Sequence, residues 1–487
     1  MQYRQNITIC KKLVACIVIF FTVGCASALH RRELNTFDEL YYSANYDEAA
    51  NMELEERGDE TDPSELLQTL EAALALRYAR KYQESSDLFD ECEEIIKEHN
   101  EQLMLTKGAA TVGATLINDA VLDYRGTEYD GIMLNTYKAL NFWQAGKKDL
   151  ARVEFNRALD RQRRAKERFA AEIATQKEEL QKKQEEENKR AQNSSRNAPG
   201  LDITKNTDNP EIDRILKEKY SSLYDFKSYP DFINPFTTYM AGLFFMSEGD
   251  YAKSADLLKE AWGMLEEKPV VKEDFANVEK ILSGQQDDKN YTWVIFENGA
   301  GPVKEEFRID LPLFLAINAV KYTGIALPKL RLRKQAYTHL ILKDEEKEIG
   351  QTVLLSSMDR VVQTEFKKTY PMVLTRAIAS ALIKTYTQYL AKEVMEEVAG
   401  DLAGNLAGWA FGAFQALTTS ADIRIWTALP KEFQIAKIEV PNNGILSVET
   451  PTNYRINIKV PKDKNSLVYI KIPKARARAV CNVINLE

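Results

Sequence analysis

Apolar residues in the first half of this chain recur at helical intervals. In residues 62–98, Leu66, Leu67, Leu70, Ala73, Leu74 and Leu76 fall on one face, and Tyr82, Ser85, Phe89 and Cys92 continue the spacing beyond a break near Arg80 and Lys81. This predicts two helices joined by a short turn. Pro63 stands where a helix opens, because a missing N–H is harmless in a first turn. Two later stretches repeat the pattern. Ala139, Phe142, Gly146, Ala151, Phe155 and Ala158 are spaced 3, 4, 5, 4 and 3 residues apart, and Gly242, Phe245, Gly249, Ser254, Leu258 and Ala261 keep the same steps. Ala73, Leu76, Arg80, Ser85, Phe89 and Cys92 lie on that grid too. Small residues at fixed places let helix backbones approach, and recurrence of the whole pattern marks stacked units. An earlier stretch from Phe37, with Tyr41, Tyr42, Tyr46, Ala49 and Ala50, reads as a further helix pair.

The second copy does not stop where a unit should. Residues 151–192 contain neither proline nor glycine, and Glu154, Arg157, Asp160, Arg161 and Arg164 place opposite charges three and four apart. Such pairs stabilise an exposed helix by about 0.2–0.5 kcal/mol each, so a long charged helix is expected to outrun its own core. Residues 193–209 are rich in Asn, Ser, Pro and Gly and read as a flexible linker. Helical spacing returns at Ile212, Ile215 and Leu216.

After residue 286 the period falls to two. Tyr291, Trp293 and Ile295 alternate with Thr292 and Val294, and Phe307 and Ile309 with Arg308 and Asp310, as in strands. Between them Glu297, Asn298, Gly299, Gly301, Lys304, Glu305 and Glu306 read as a tight connection or recognition loop. A strand is expected over 336–342, a helix over 356–365, and a long helix opened by Pro371. Gly400, Gly404, Gly408 and Gly412 follow at intervals of four in a Gly/Ala-rich segment, 398–417, where a side-chain-free groove suits close helix packing. Self-association and membrane insertion are the alternatives, and Asp401 and Asn405 weigh against lipid. Strands return at 433–440, 454–460 and 467–472; in the last, Val468, Ile470 and Ile472 share one face and Leu467, Tyr469 and Lys471 the other. The expected fold is therefore mixed α and β: a helical repeat array over 37–285, interrupted at 151–209, and an α+β domain over 286–487 with an antiparallel sheet.

Composition changes this picture mainly at the N-terminus. Lys11 and Lys12 precede the apolar run Leu13 to Phe21, and Thr22, Val23 and Gly24 precede Cys25, which are the parts of an export signal. The apolar run is too short to span a bilayer as an ordinary helix. Removing residues 1–24 takes away Arg4, Lys11 and Lys12, moving the formal charge from −8 to −11. Bulk charge then excludes attraction to nucleic acid. Two of the five cysteines, Cys92 and Cys481, remain beyond the signal and Cys25, and read as independent thiols rather than a pair.

Three resemblances add expectations. The run Thr22-Val23-Gly24-Cys25 resembles the lipobox of bacterial lipoproteins, although Thr22 stands where that family usually has Leu. It implies a signal peptide over 1–24, lipid on Cys25 and a tether over 25–36; Ala26 implies the outer membrane, on its periplasmic side. A soluble secreted protein cut near Ser27, or a single retained anchor, stays open. The helical grid resembles the tetratricopeptide repeat, with Arg80 and Cys92 where that family prefers Gly and Ala; this implies a concave protein-binding face, with Tyr137 and Tyr239 as groove residues to test. Residues 297–313, with Ile325-Ala326-Leu327-Pro328-Lys329-Leu330, resemble an uncharacterised family of bacterial lipoproteins that joins a repeat-like half to an extracytoplasmic half. That family lends localisation and no catalytic role.

Catalytic constellations are sparse. His30, His99 and His339 are not in metal-ligand spacing, and no His-Glu-x-x-His, paired-cysteine or phosphate-loop motif occurs. No metal or cofactor is expected. The reading is a membrane-anchored periplasmic scaffold or adaptor that binds cell-envelope proteins through its helical repeats. The alternative is a cell-wall or glycan-active hydrolase centred near Glu297–Glu306, with Glu297 and Glu305 as the carboxylate pair to test.

Overall fold

The computed structural model describes residues 36–57, 63–105, 123–194, 202–203, 209–221, 225–265, 269–285, 289–314, 320–399 and 420–486. Cys25, most of the linker, and Gly400, Gly404, Gly408 and Gly412 lie outside them. The helical half begins with α1 (residues 36–42) and α2 (Tyr46–Glu56), continues through α3 (Leu66–Tyr78), α4 (Tyr82–Leu105), α5 (Glu128–Gln144) and α6 (Lys148–Ser194), and closes with α7 (Pro210–Lys219), α8 (Pro235–Ser247), α9 (Tyr251–Met264) and α10 (Pro269–Leu282).

Four helical hairpins, α1–α2, α3–α4, α5–α6 and α8–α9, share one turn. Ala44, Arg80, Gly146 and Gly249 hold positive φ of 64°, 66°, 73° and 74°. The next residue in each donates its N–H back across the helix end: Asn45 to Leu40 O at 3.0 Å, Lys81 to Leu76 O at 3.0 Å, Lys147 to Phe142 O at 2.8 Å and Asp250 to Phe245 O at 2.9 Å. These bonds satisfy carbonyls that a helix end leaves orphaned. Five residues past each positive φ stands a fully buried small residue, Ala49, Ser85, Ala151 or Ser254. Ser85 Oγ donates to Ala73 O at 2.7 Å and Ser254 Oγ to Gly242 O at 2.8 Å, so the small grid positions touch across these two hairpins. A Cβ on Gly242 would stand 2.9 Å from Leu258 Cδ2. The recurrence seen along the chain is thus a recurrence of backbone geometry.

The other half supplies β1 (Tyr291–Asn298), β2 (Val303–Phe314), β3 (Val320–Arg331), β4 (Ile341–Asp344), β5 (Lys347–Gln351), β6 (Val353–Ser357), α11 (Met358–Ala399), β7 (Glu432–Glu439), β8 (Ile445–Glu449), β9 (Arg455–Lys459), β10 (Asn465–Ile472) and β11 (Val480–Leu486). A five-stranded sheet runs β11-β10-β1-β7-β6 and a four-stranded sheet β5-β4-β8-β9. The five-stranded sheet is mixed: β1 pairs parallel with β10, with Glu297 opposite Lys471, and antiparallel with β7. The four-stranded sheet is antiparallel throughout, as expected; the β1–β10 pair of the five-stranded sheet is the parallel exception. A parallel pair needs a long crossover, which local alternation does not reveal.

Alternation along β1 and β10 builds three layers. Trp293, Ile295, Leu467 and Tyr469 face the helices and join their core. Val294, Phe296, Val468, Ile470 and Ile472 face the four-stranded sheet, meeting Leu342, Leu446, Val448 and Ile458. The two faces predicted for 467–472 are those observed. The inner helices of the array therefore pack on a sheet from the chain's own second half.

A second core lies apart from this seam. The ribbon β2–β3 runs twelve residues a side, with Val303 opposite Arg331 and Phe314 opposite Val320. Its Ile309, Leu311, Ile325 and Leu327 pack with Ile212 and Leu216 of α7 and Ile378 and Leu382 of α11. Pro371 sits inside α11 and does not open it. The predicted 356–365 and Pro371 helices are one element, because tertiary packing on both sides outweighs the lost hydrogen bond. The strand expected over 336–342 begins at Ile341. Helix α6 runs unbroken from Lys148 to Ser194, as the charge pattern predicts. Among the described residues no helix is long and apolar enough to cross a membrane.

Candidate functional site at the helix–sheet seam

The centre of the seam is polar. Glu297, on the helix-facing side of β1, is fully buried. Its Oε1 accepts from Lys471 Nζ at 2.9 Å and from Tyr137 OH at 3.2 Å. Its Oε2 accepts from the hydroxyls of Tyr78 and Tyr469. Arg77 lies over three of these rings, its guanidinium carbon 5.3 Å from the Tyr469 centroid, 5.7 Å from Tyr137 and 6.0 Å from Tyr78, and donates to Asn141 Oδ1 at 2.6 Å. Burial pushes the Tyr78, Tyr137 and Tyr469 hydroxyls well above the usual phenol range. Burial likewise lowers the Lys471 ammonium, opposed by Glu297. A second pin repeats the design: buried Asp274 of α10 accepts from Tyr239 OH at 2.6 Å, from Trp293 Nε1 at 3.1 Å and from Lys437 Nζ at 3.0 Å. Burial raises its carboxyl against the pull of Lys437.

Beside these pins the array grips a segment without regular secondary structure. Residues 421–426 are irregular and 427–429 turn into the sheet. Glu71 of α3 reads this chain as a fork. Its Oε1 accepts from Thr427 N at 2.7 Å and Thr427 Oγ1 at 2.9 Å, and its Oε2 from Ala428 N at 3.1 Å. Asp38 Oδ1 takes a second contact with Thr427 Oγ1 at 2.7 Å. From the other side Tyr41 OH donates to Ala428 O at 3.0 Å, while Tyr42 OH and Arg333 donate to Thr427 O. Trp426 fills a ring-walled recess, edge-on to Phe89 and Tyr137 with centroids 6.2 Å away in each case. Burial, reinforced by the Asp38 and Glu53 carboxylates, raises Glu71 well above the carboxylate range. Chemically this is a backbone-reading cradle: donors for carbonyls, a carboxyl group whose oxygens face two N–H groups and a hydroxyl, and one apolar recess.

The residues expected in the 297–306 loop are placed differently. Glu297 and Asn298 end β1, and both are wholly buried. Asn298 Nδ2 donates to Tyr337 O at 2.7 Å and its Oδ1 accepts from Ala336 N at 2.9 Å, locking the next segment. Gly299 has φ of +70°, and a Cβ there would lie 2.6 Å from Gln335 Cα. Gly301 N donates to Leu429 O at 2.8 Å. Lys304 and Glu305 belong to β2, with Lys304 Nζ on Arg424 O at 3.0 Å and Glu305 ion-paired to Arg331. Of the two readings, tight connection or recognition loop, residues 297–301 have the geometry of the first, and Lys304 and Glu305 lie on the more exposed start of β2. Tyr137 and Tyr239, the groove residues to test if accessible, are both fully buried. The cradle residues Glu71, Asp38 and Trp426 carry no local signal, since their partners lie more than 280 residues away. A buried glutamate inside the apolar run of α3 is the one hint. Cys92 and Cys481 are both free thiols.

No family model, curated protein or solved structure matches this chain.

Proposed function

We propose that this chain is a membrane-tethered scaffold of the bacterial cell envelope, whose tetratricopeptide-like array holds protein partners near the membrane face. The observation that carries the reading is the fourfold recurrence of one hairpin turn with a buried small residue five positions on. Stacked hairpins of this kind form extended surfaces that engage peptides and proteins. Lipid on Cys25 would leave ten residues, 26–35, before α1, a reach of at most about 40 Å. The body would then work close to the bilayer. A hydrolase built on Glu297 and Glu305 finds less support, because two catalytic carboxylates must both face a sugar and Glu297 is sealed among tyrosines.

The test is cross-linking of the full chain in cells with mass spectrometry of attached proteins, beside a Cys25→Ala form. Reproducible envelope partners, lost with Cys25→Ala, are the expected result. Recovery of glycan fragments without protein partners would overturn the scaffold.

A further inference from the structure

The cradle around residues 425–428 treats its occupant as a ligand. Helix α3 and the α1 region offer side chains to backbone atoms of an irregular segment, through Glu71, Tyr41 and Tyr42. This is how a groove recognises an extended chain, with main-chain hydrogen bonds for affinity and side-chain recesses for selectivity. The fit is incomplete at one point. Trp426 is 1% exposed, yet its Nε1 has no hydrogen-bond partner. A buried donor without a partner keeps the full cost of its lost hydration, so an apolar side chain of similar size would sit there better than the tryptophan does.

We propose that the inner face of the helical array is an extended-peptide site, occupied in cis by Ile425–Ala428 and open in trans to a partner peptide. The inference rests on the scaffold reading and names its partner's chemistry. The partner strand carries a bulky apolar residue such as Phe or Leu for the Phe89–Tyr137 recess, then Ser or Thr, whose hydroxyl meets Glu71 and Asp38, then a small residue. Ala428 is fully buried, which sets that last requirement. Beyond it the chain is pinned to the sheet by Gly301 N on Leu429 O and by Lys431 N on Asn298 O. The exchange therefore stops near residue 428, and the sheet stays in place.

The probe is a fluorescein-labelled peptide copying residues 421–431, together with a version carrying Phe at the tryptophan position. Binding to the full chain is followed by anisotropy. Trp426→Ala weakens the cis occupant, so this variant should bind the peptide at least tenfold more tightly than wild type, the Phe version more tightly still. Adding Glu71→Gln should remove the gain. A folded Trp426→Ala chain that binds no better than wild type overturns the proposal. If Trp426→Ala does not fold, amide exchange of the wild-type chain decides: Thr427 and Ala428 N–H groups should exchange through local opening, more than tenfold faster than the β1 amides. Exchange of both sets at one rate overturns it. Cross-linked envelope partners found without peptide binding would reject this site and leave the scaffold standing, whereas peptide binding without such partners would do the reverse.

Discussion

Lys471 Nζ lies 2.9 Å from a carboxylate oxygen of Glu297, and both side chains are shut off from solvent at the centre of the helix–sheet seam. Removing one charge leaves the other buried and unpaired. Glu297→Gln should therefore destabilise the chain by about 3–5 kcal/mol. Replacing the pair with Leu and Met should not restore it, because the Tyr78, Tyr137 and Tyr469 hydroxyls lose their acceptor at about 1–3 kcal/mol each. Adding Tyr78→Phe and Tyr469→Phe should recover much of the loss. Urea midpoints measure the series, and a Leu/Met double variant as stable as wild type would contradict the account.

Glu365 of α11 accepts the N–H groups of Glu128 and Tyr129 at 3.0 and 3.2 Å, closing the first turn of α5 from outside. Burial, and then the neighbouring Glu128 carboxylate, raise it from 4.5 to about 8. The folded chain thus holds this proton more tightly than the unfolded chain. Its contribution is complete below the unfolded value and is lost as pH climbs through the folded one, at about 1.4 kcal/mol per unit between them. Wild type should lose stability from pH 5 to pH 9 relative to Glu365→Gln. Parallel profiles for the two proteins would refute the assignment.

Local pattern carried the repeating parts of this structure. Ala73, Ser85, Gly242 and Ser254 announce close helix contacts by size alone, and the faces of β10 follow from alternation. Glu297 was misplaced for a physical reason. A glutamate ahead of Asn-Gly looks solvated, and what buries it, Tyr78, Tyr137 and Tyr469, lies 219, 160 and 172 residues away. Long-range charge compensation leaves no trace in periodicity. The same holds for Glu71 and Glu365, whose acceptor roles depend on backbone N–H groups from distant segments.

Two glycines in one hairpin should respond with opposite signs. A Cβ at Gly242 meets Leu258 at 2.9 Å, whereas one at Gly263 meets nothing within 4 Å. Gly242→Ala should cost about 1–3 kcal/mol through overpacking. Gly263→Ala should gain up to about 1 kcal/mol from helix propensity. Thermal melts of both variants check this, and equal shifts would remove the role assigned to Gly242.

The seam also predicts how the chain unfolds. One hydrophobic core takes Leu70 and Tyr137 from the array, Trp293 and Leu467 from the sheet, and Trp426 from the cradle. Glu297 and Asp274 add polar pins that neither half can satisfy alone. The array without its sheet would expose Tyr78, Tyr137 and Tyr239 together, a face too apolar and too rich in unpaired groups to hold its packing. Residues 36–285 expressed alone should therefore fail to give a cooperative melt. In the full chain, helical circular dichroism and tryptophan fluorescence should report one urea midpoint, since Trp143, Trp293 and Trp426 are buried in that shared core. Two separated transitions would mean that the array stands by itself, and that the sheet is an added lid on its inner face.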